Sequence, residues 1–122
     1  MAQINTFKDI LTWQKSHELT LLIYKITTEY PKNELFSMVS QMRRASYSIP
    51  SNIVEGFRRN NTKDSLKFYN IADASLEELK YFLYLSTDLN YINKTVYDTA
   101  LSLSEEVGKL LTRWIQSQRK YL

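Results

Sequence analysis

The sequence predicts an all-α protein, an up-down-up-down antiparallel four-helix bundle, on three observations. Apolar residues recur at alternating steps of three and four along four stretches, which is the spacing of one face of a bundle helix. The 122 residues include only two glycines and two prolines, whereas the hairpins of an all-β fold need many of both. The connections between the stretches are short, which favours antiparallel neighbours. We therefore expect one domain, residues 1–122.

The first helix is predicted from Thr6 to about Tyr30. Thr6 and Asp9 have the spacing of a capping box, and an acidic residue in the first turn suits the helix dipole. Pro31 ends the helix because proline cannot continue it.

The second helix is predicted from about Asn33 and contains Pro50. Its apolar or small seam comprises Leu35, Val39, Met42, Ser46, Ile49 and Ile53. Pro50 lacks an N–H, so the Ser46 carbonyl loses its helical partner. The helix either stops at Ser48 and restarts, or continues with a kink near Pro50. Because the seam passes the proline without a phase slip, we expect the kinked, continuous helix. The hydroxyls expected to satisfy freed backbone groups belong to Ser46, Ser48 and Ser51.

Two further helices complete the predicted bundle. The third follows Thr62 as N-cap, and the fourth opens at a second capping-box candidate, Thr95 with Asp98. The predicted seam of the third helix is Tyr69, Ala72, Leu76, Leu79 and Leu83. That of the fourth is Val96, Ala100, Leu103, Val107, Leu110, Trp114 and Tyr121.

The second helix has more apolar surface than one bundle needs. A second stripe beside its seam comprises Phe36, Tyr47, Pro50, Val54 and Phe57. Two stripes indicate burial on two sides, and the nine tyrosines of the chain point the same way, because tyrosine is enriched at interfaces. The alternative is that wide helices fill a thick core. We expect a homo-oligomer in which this second stripe forms the interface.

Residue types typical of enzymes and metal sites are scarce. The chain has no cysteine and one histidine, and Gln14-x-x-His17 stands where a di-iron site needs Glu-x-x-His. No Gly-rich phosphate loop is present. The carboxylate pairs Glu77–Glu78 and Glu105–Glu106 are adjacent along helices and indicate solvated faces. We expect no enzymatic activity, no cofactor and no metal. The sequence also shows no signal-peptide pattern and no apolar run long enough to cross a membrane, so we expect a soluble, cytoplasmic protein.

Arginines mark the second helix. The net charge is only +3, but Arg43, Arg44, Arg58 and Arg59 all lie on this helix, with Glu55 one turn before Arg59. One interpretation is a solvated stripe with weak ion pairs. The other is a surface that binds the phosphates of RNA or DNA with little sequence specificity, because arginine offers a planar fork for phosphate. Arg113, Arg119 and Lys120 extend this surface if the bundle brings them close.

The second hypothesis for function is a protein-interaction scaffold. In it, Arg43, Arg44 and Glu55 form ion pairs within or between subunits, and the partner is another protein.

Three segments resemble a known family: "FKDILTWQKSHELTLLIYKITTEYP", "ELFSMVSQMRRASYSIPSNIVEGFRRN" and "FYNIADASLEEL". They are similar to the four-helix-bundle proteins encoded in bacterial 23S rRNA intervening sequences, often called S23-type ribosomal proteins. They also resemble the accessory variability determinant protein of diversity-generating retroelements. The resemblance covers residues 7 to about 92. Ser37 and Asp73 depart from it, where the pattern commonly has glycine.

The resemblance implies a homo-oligomer, specifically a pentameric barrel of bundles. It also implies a basic surface that binds nucleic acid and a protein partner such as a reverse transcriptase. A ribosome-associated partner is the other expectation that the family label raises.

Overall fold

The computed structural model describes residues 3–122 of the chain. Four α-helices form the bundle: α1 (Leu11–Thr27), α2 (Ser40–Arg58), α3 (Thr62–Asp88) and α4 (Lys94–Arg119). Each helix packs against its two neighbours in a closed ring, and the α2–α3 pair is the most extensive. The described residues contain no β-strand. The predicted all-α, up-down-up-down four-helix bundle is confirmed.

The predicted capping box exists, but it does not start α1. Thr6 and Asp9 cap a 3₁₀ turn, Phe7–Asp9. Ile10 then adopts extended backbone angles (φ −82°, ψ 116°) and is buried. The chain therefore turns before α1 begins at Leu11, and the helix ends at Thr27 rather than at Tyr30.

The caps of α3 and α4 lie earlier than predicted. The side chain of Asn61, not Thr62, accepts the N–H of Asp64 at 2.9 Å, and that of Asn93, not Thr95, accepts the N–H of Val96 at 2.9 Å. Asparagine ranks above threonine as an N-cap, and its side-chain oxygen accepts a backbone N–H of the first turn. Asp98 pairs instead with Lys94.

The approach to α2 is irregular. A 3₁₀ turn, Lys32–Glu34, leads into a π-helical turn, Leu35–Val39, before α2 begins. A π-turn has a wider i→i+5 repeat, which shifts the phase of the side chains. As a result Leu35, the first predicted seam residue, is exposed, while the other five are buried.

The core confirms the α3 seam and corrects the α4 seam. All five predicted α3 residues are buried. The buried residues of α4 are Ala100, Ser104, Val107, Leu111 and Ile115. Ser104 belongs to this face because its hydroxyl is satisfied by the Ala100 carbonyl at 2.8 Å, so a polar residue sits where the pattern favoured Leu103. Tyr121 lies beyond the end of α4 and is 64% exposed.

Pro50 lies inside a continuous α2, as predicted. The Ser46 carbonyl that the proline deprives of a donor accepts the Thr20 hydroxyl of α1 at 3.0 Å. Both residues are buried, so a neighbouring helix supplies the missing hydrogen bond. The serine hydroxyls that were expected to satisfy this carbonyl make other hydrogen bonds. The Ser46 hydroxyl donates to the Arg43 carbonyl, and the Ser48 hydroxyl bonds the Ser75 hydroxyl.

Candidate nucleic-acid interface

The up-down-up-down order brings three segments together at one end of the bundle. We define the basic end as residues 3–9, 55–67 and 113–122. It carries eight lysines and arginines against three carboxylates, although the whole chain has a net charge of only +3. The eight are Lys8, Arg58, Arg59, Lys63, Lys67, Arg113, Arg119 and Lys120. The positive charge of the chain is therefore concentrated at this end.

Most cations of the basic end have no ion-pair partner among residues 3–122. The exceptions are Arg59, 2.9 Å from Glu55, and Lys67, 3.7 Å from Asp64. The third carboxylate, Asp9, accepts the backbone N–H groups of Thr6 and Asn5, and these bonds, that of Thr6 first, lower its pKa. The carboxylates at this end are thus occupied, while most of the cations remain open to solvent.

Arg59 is held by two contacts. Besides the bond to Glu55, its guanidinium carbon lies 4.4 Å from the centre of the Phe68 ring. The predicted i, i+4 pair of Glu55 and Arg59 is confirmed. Both partners are solvent-exposed, so the pair adds little stability, but the two contacts together restrain the guanidinium at the surface.

A groove of about 350 Å³ opens beside these cations. Its lining includes Arg59, Asn60, Gln118 and Tyr121, contributed by the α2–α3 turn and by the end of α4. Arg59 and the last residues of α4, far apart in sequence, therefore border the same groove.

The floor of the groove is a close helix crossing. A Cβ placed on Gly56 would lie 2.4 Å from Cε1 of Tyr69, so only glycine lets the two helices approach this closely. The Ser65 hydroxyl donates to the Gly56 carbonyl at 2.7 Å. Burial raises the pKa of Tyr69, and the neighbouring Trp114 indole partly opposes this increase. The indole N–H of Trp114 is itself buried and has no partner in hydrogen-bonding geometry within residues 3–122.

Arg43 and Arg44 lie outside the basic end, although the sequence predicts that they share one surface with Arg58. Fourteen residues of helix put them about 20 Å from the basic end. Arg43 is bound to α1: its Nε donates to the Thr27 hydroxyl at 2.9 Å, and its guanidinium lies 4.6 Å from the centre of the Tyr24 ring. A second donor, Nη2, reaches the Tyr24 carbonyl at 3.4 Å. Arg43 thus stabilises the packing of α2 on α1.

Arg44 faces the opposite neighbour. Its Nη2 lies 3.0 Å from the Gln41 side-chain oxygen and 3.4 Å from Glu78 of α3. The ion pair anticipated by the scaffold hypothesis is thus made within one chain, with Glu78 rather than Glu55.

The seven arginines and lysine singled out in the sequence therefore form more than one group. Arg58, Arg59, Arg113, Arg119 and Lys120 belong to the basic end, where Arg113 also lines a groove between α3 and α4 with Lys80 and Glu105, while Arg43 and Arg44 lie outside this end. Sequence reasoning missed Lys63, which follows the α2–α3 turn. The available signal was the antiparallel order itself, which places that turn beside the end of α4.

The second apolar stripe of α2 is divided by the bundle. Pro50 is buried within the single chain, and Val54 and Phe57 are half-buried. Phe36 is 92% exposed and Tyr47 is 47% exposed. The outward apolar surface of this stripe is thus centred on Phe36 and Tyr47.

The opposite end of the bundle, residues 24–38 and 84–98, is organised differently. It carries three cations and four carboxylates. Glu34, before α2, accepts the Tyr91 hydroxyl at 2.7 Å and also bonds Ser37. These hydrogen bonds, that from Ser37 first, lower the pKa of Glu34. The rings of Tyr30 and Tyr91 pack 5.3 Å apart.

Residues 3–122 contain no cluster of three or more histidine, cysteine, aspartate or glutamate side chains suited to a metal ion. None of the described helices is both long and apolar enough to span a bilayer. His17, the single histidine, stacks on Trp13 with 5.0 Å between ring centres.

The fold and this end surface define a four-helix bundle with one cationic end. Residues 8–113 match the family model of the 23S rRNA-intervening sequence protein. The chain belongs to this family. It is also similar to a protein of unknown function from the S23 ribosomal protein family of Bacteroides thetaiotaomicron VPI-5482, whose crystal structure was determined at 1.70 Å resolution. The two share 30% sequence identity with a TM-score of 0.77, over 86% of this chain and 98% of that one. No curated protein matches the chain.

Proposed function

We propose that the chain binds the phosphate backbone of nucleic acid, with little sequence specificity, through the basic end. The observation that carries this proposal is the excess of eight cations over three carboxylates at one end of a nearly neutral chain. This function is binding rather than catalysis. The family name refers to sequences within 23S rRNA, so RNA is the first ligand to test.

Free cations at the basic end supply the attraction. Each phosphate neutralised by a lysine or arginine releases counterions, so affinity falls steeply with salt. Arg58, Lys63 and Arg119 have no acidic partner within residues 3–122, and they therefore need not exchange an ion pair for a phosphate. The described elements include no motif that reads base edges in a groove, which is why sequence specificity is expected to be weak.

Salt titration with a matched pair of charge reversals tests the proposal. Fluorescence anisotropy of a labelled RNA should show affinity falling about a hundredfold between 50 and 200 mM salt if about five phosphates are neutralised. Arg58→Glu with Arg119→Glu should abolish most binding. Lys25→Glu with Lys32→Glu makes the same change in net charge at the opposite end and should weaken binding far less.

Two results would contradict the proposal. Affinity that does not change with salt would exclude binding to the phosphate backbone. Equal losses for the two double variants would mean that net charge, rather than the basic end, governs binding.

A second candidate is a protein-interaction scaffold built as a homo-oligomer, and the exposure of Phe36 favours it. A phenylalanine that is 92% exposed, with exposed Leu35 beside it, is unusual on a monomer and typical of an interface. Light scattering should give a mass that is a multiple of 14.5 kDa, and Phe36→Ser should reduce it. A wild-type monomer, or an unchanged oligomer in Phe36→Ser, would contradict this candidate.

A further inference from the structure

An exposed aromatic ring lies among the cations of the basic end. Tyr121 is 64% exposed, and the Lys120 ammonium lies 5.4 Å from its ring centre. The ring borders the groove that also contains Arg59. Because Tyr121 follows the last residue of α4, its ring contributes little to the bundle and is open to a ligand.

The restrained guanidinium of Arg59 offers a second surface of the same kind. Its contacts with Phe68 and Glu55 hold a planar cation at the lip of the groove. Unpaired bases stack on aromatic rings and on guanidinium planes alike. Tyr121 and Arg59 thus provide two stacking surfaces on one groove.

Polar groups suited to base edges line the same groove. Asn60 and Gln118 line the groove. The Asn60 side chain makes no hydrogen bond within residues 3–122, whereas the Gln118 amide donates to the Ser117 hydroxyl at 3.4 Å. An amide both donates and accepts hydrogen bonds, so it can pair with any base edge. The groove therefore combines a cation, aromatic rings and side-chain amides.

This combination distinguishes single strands from duplexes. In a duplex the bases are paired and stacked inside, so a protein that binds only the backbone gains nothing from an exposed ring. An unpaired strand presents the faces of its bases to such rings, and stacking is sequence-tolerant.

We infer that the basic end binds unpaired nucleotides, with a base stacked on Tyr121 and its neighbouring phosphates on Arg58 and Arg119. This inference rests on the proposed function and names the class of its ligand, single-stranded nucleic acid. RNA and DNA share the base faces and phosphates on which it depends.

The test compares single strands with duplexes of the same sequence, as both RNA and DNA, at one salt concentration. The single strand should bind about tenfold more tightly than the duplex. Tyr121→Ala should weaken binding of the single strand about tenfold, which corresponds to the loss of one stacked base, and leave duplex binding unchanged. Tyr121→Phe keeps the ring and should retain affinity. Tyr84→Ala removes a comparably exposed tyrosine of α3 and serves as the control.

The outcomes separate this inference from the proposed function. Equal affinity for single strand and duplex, or full affinity in Tyr121→Ala, would overturn the inference. The proposed function would survive either result if Arg58→Glu with Arg119→Glu still abolishes binding. Tighter binding of the single strand than of the duplex, in either sugar form, supports the inference, and the tighter of the RNA and DNA single strands identifies the sugar that is preferred.

Discussion

The two ends of the bundle differ in charge balance and in what their charged groups contact. At the opposite end, Glu34 bonds Ser37 and Tyr91, and Lys94 bonds Asp98. There, Glu34 joins the α1–α2 connection to the α3–α4 connection through Tyr91, while the Lys94–Asp98 pair lies within α4. At the basic end, Arg58, Lys63 and Arg119 have no such partner within residues 3–122. Cations that do not hold the fold together are free to bind a ligand.

The basic end is held together by backbone packing instead. Because Gly56 has no side chain, the Tyr69 ring lies directly against the backbone of Gly56, and the Ser65 hydroxyl donates to the Gly56 carbonyl. Because this contact between α2 and α3 uses no charged side chain, the surrounding cations are not needed to hold the helices together. The difference between the ends therefore indicates which charges are structural and which are available.

Gly56→Ala should have the largest effect on stability. The added Cβ cannot fit 2.4 Å from Cε1 of Tyr69, and such overpacking costs about 1–3 kcal/mol, more than the helix propensity of alanine returns. Gly108→Ala is the matched control, since its nearest contact is Leu76 Cδ2 at 3.4 Å, and it should stabilise the protein by up to about 1 kcal/mol. Urea unfolding measures both. A Gly56→Ala protein as stable as the wild type would show that the close crossing is not needed.

Arg43→Gln and Arg58→Gln should affect different measurements. Arg43→Gln removes the hydrogen bonds to Thr27 and Tyr24 and should lower the free energy of unfolding by about 1 kcal/mol without changing affinity for RNA. Arg58→Gln should leave stability unchanged and weaken binding about fivefold at 0.1 M salt, as expected for one lost phosphate contact.

The same two variants decide whether the arginines of α2 act as one group. A loss of RNA affinity in Arg43→Gln, with the fold intact, would support the single arginine surface that was predicted from the sequence. A loss of stability in Arg58→Gln would show that the basic end also uses its cations for structure.

Sequence reasoning predicted the fold well because its signals are local. The steps from Tyr69 to Leu83 are fixed by the helical repeat, and every one of those seam residues is buried. The pattern failed where local geometry or a neighbour intervenes. The π-turn exposes Leu35, and Ser104 occupies the core of α4 because Ala100 satisfies its hydroxyl.

The site was harder to predict because it depends on contacts distant in sequence. Arg43 and Arg44 are adjacent, yet one contacts Thr27 of α1 and the other Glu78 of α3. Composition cannot separate them, because their roles are decided by the facing helices. Likewise the cations near residue 60 join those near residue 120 only after the bundle closes.

Lowering the pH should weaken the hydrogen bonds at the opposite end, and we expect the resulting loss of stability to be the smallest of the predicted effects. The pKa of Glu34 is lowered by bonds from Ser37 and Tyr91, so the stability that this carboxylate contributes is present at neutral pH. It should be lost as the pH falls through the folded-state pKa, below the ordinary carboxyl range. Glu34→Gln should therefore be less stable than the wild type at pH 7, with the difference shrinking toward pH 3.

Glu29→Gln provides the control for this measurement. Glu29 lies at the same end, is exposed, and makes no side-chain hydrogen bond or ion pair within residues 3–122, so Glu29→Gln removes a carboxylate from this end without removing a contact. Thermal melts of the three proteins between pH 3 and pH 7 measure the effect. A difference in melting temperature between the wild type and Glu34→Gln that stays constant across that range would mean that the negative charge of Glu34 does not stabilise this end. The contrast between the two ends would then no longer be one of charge.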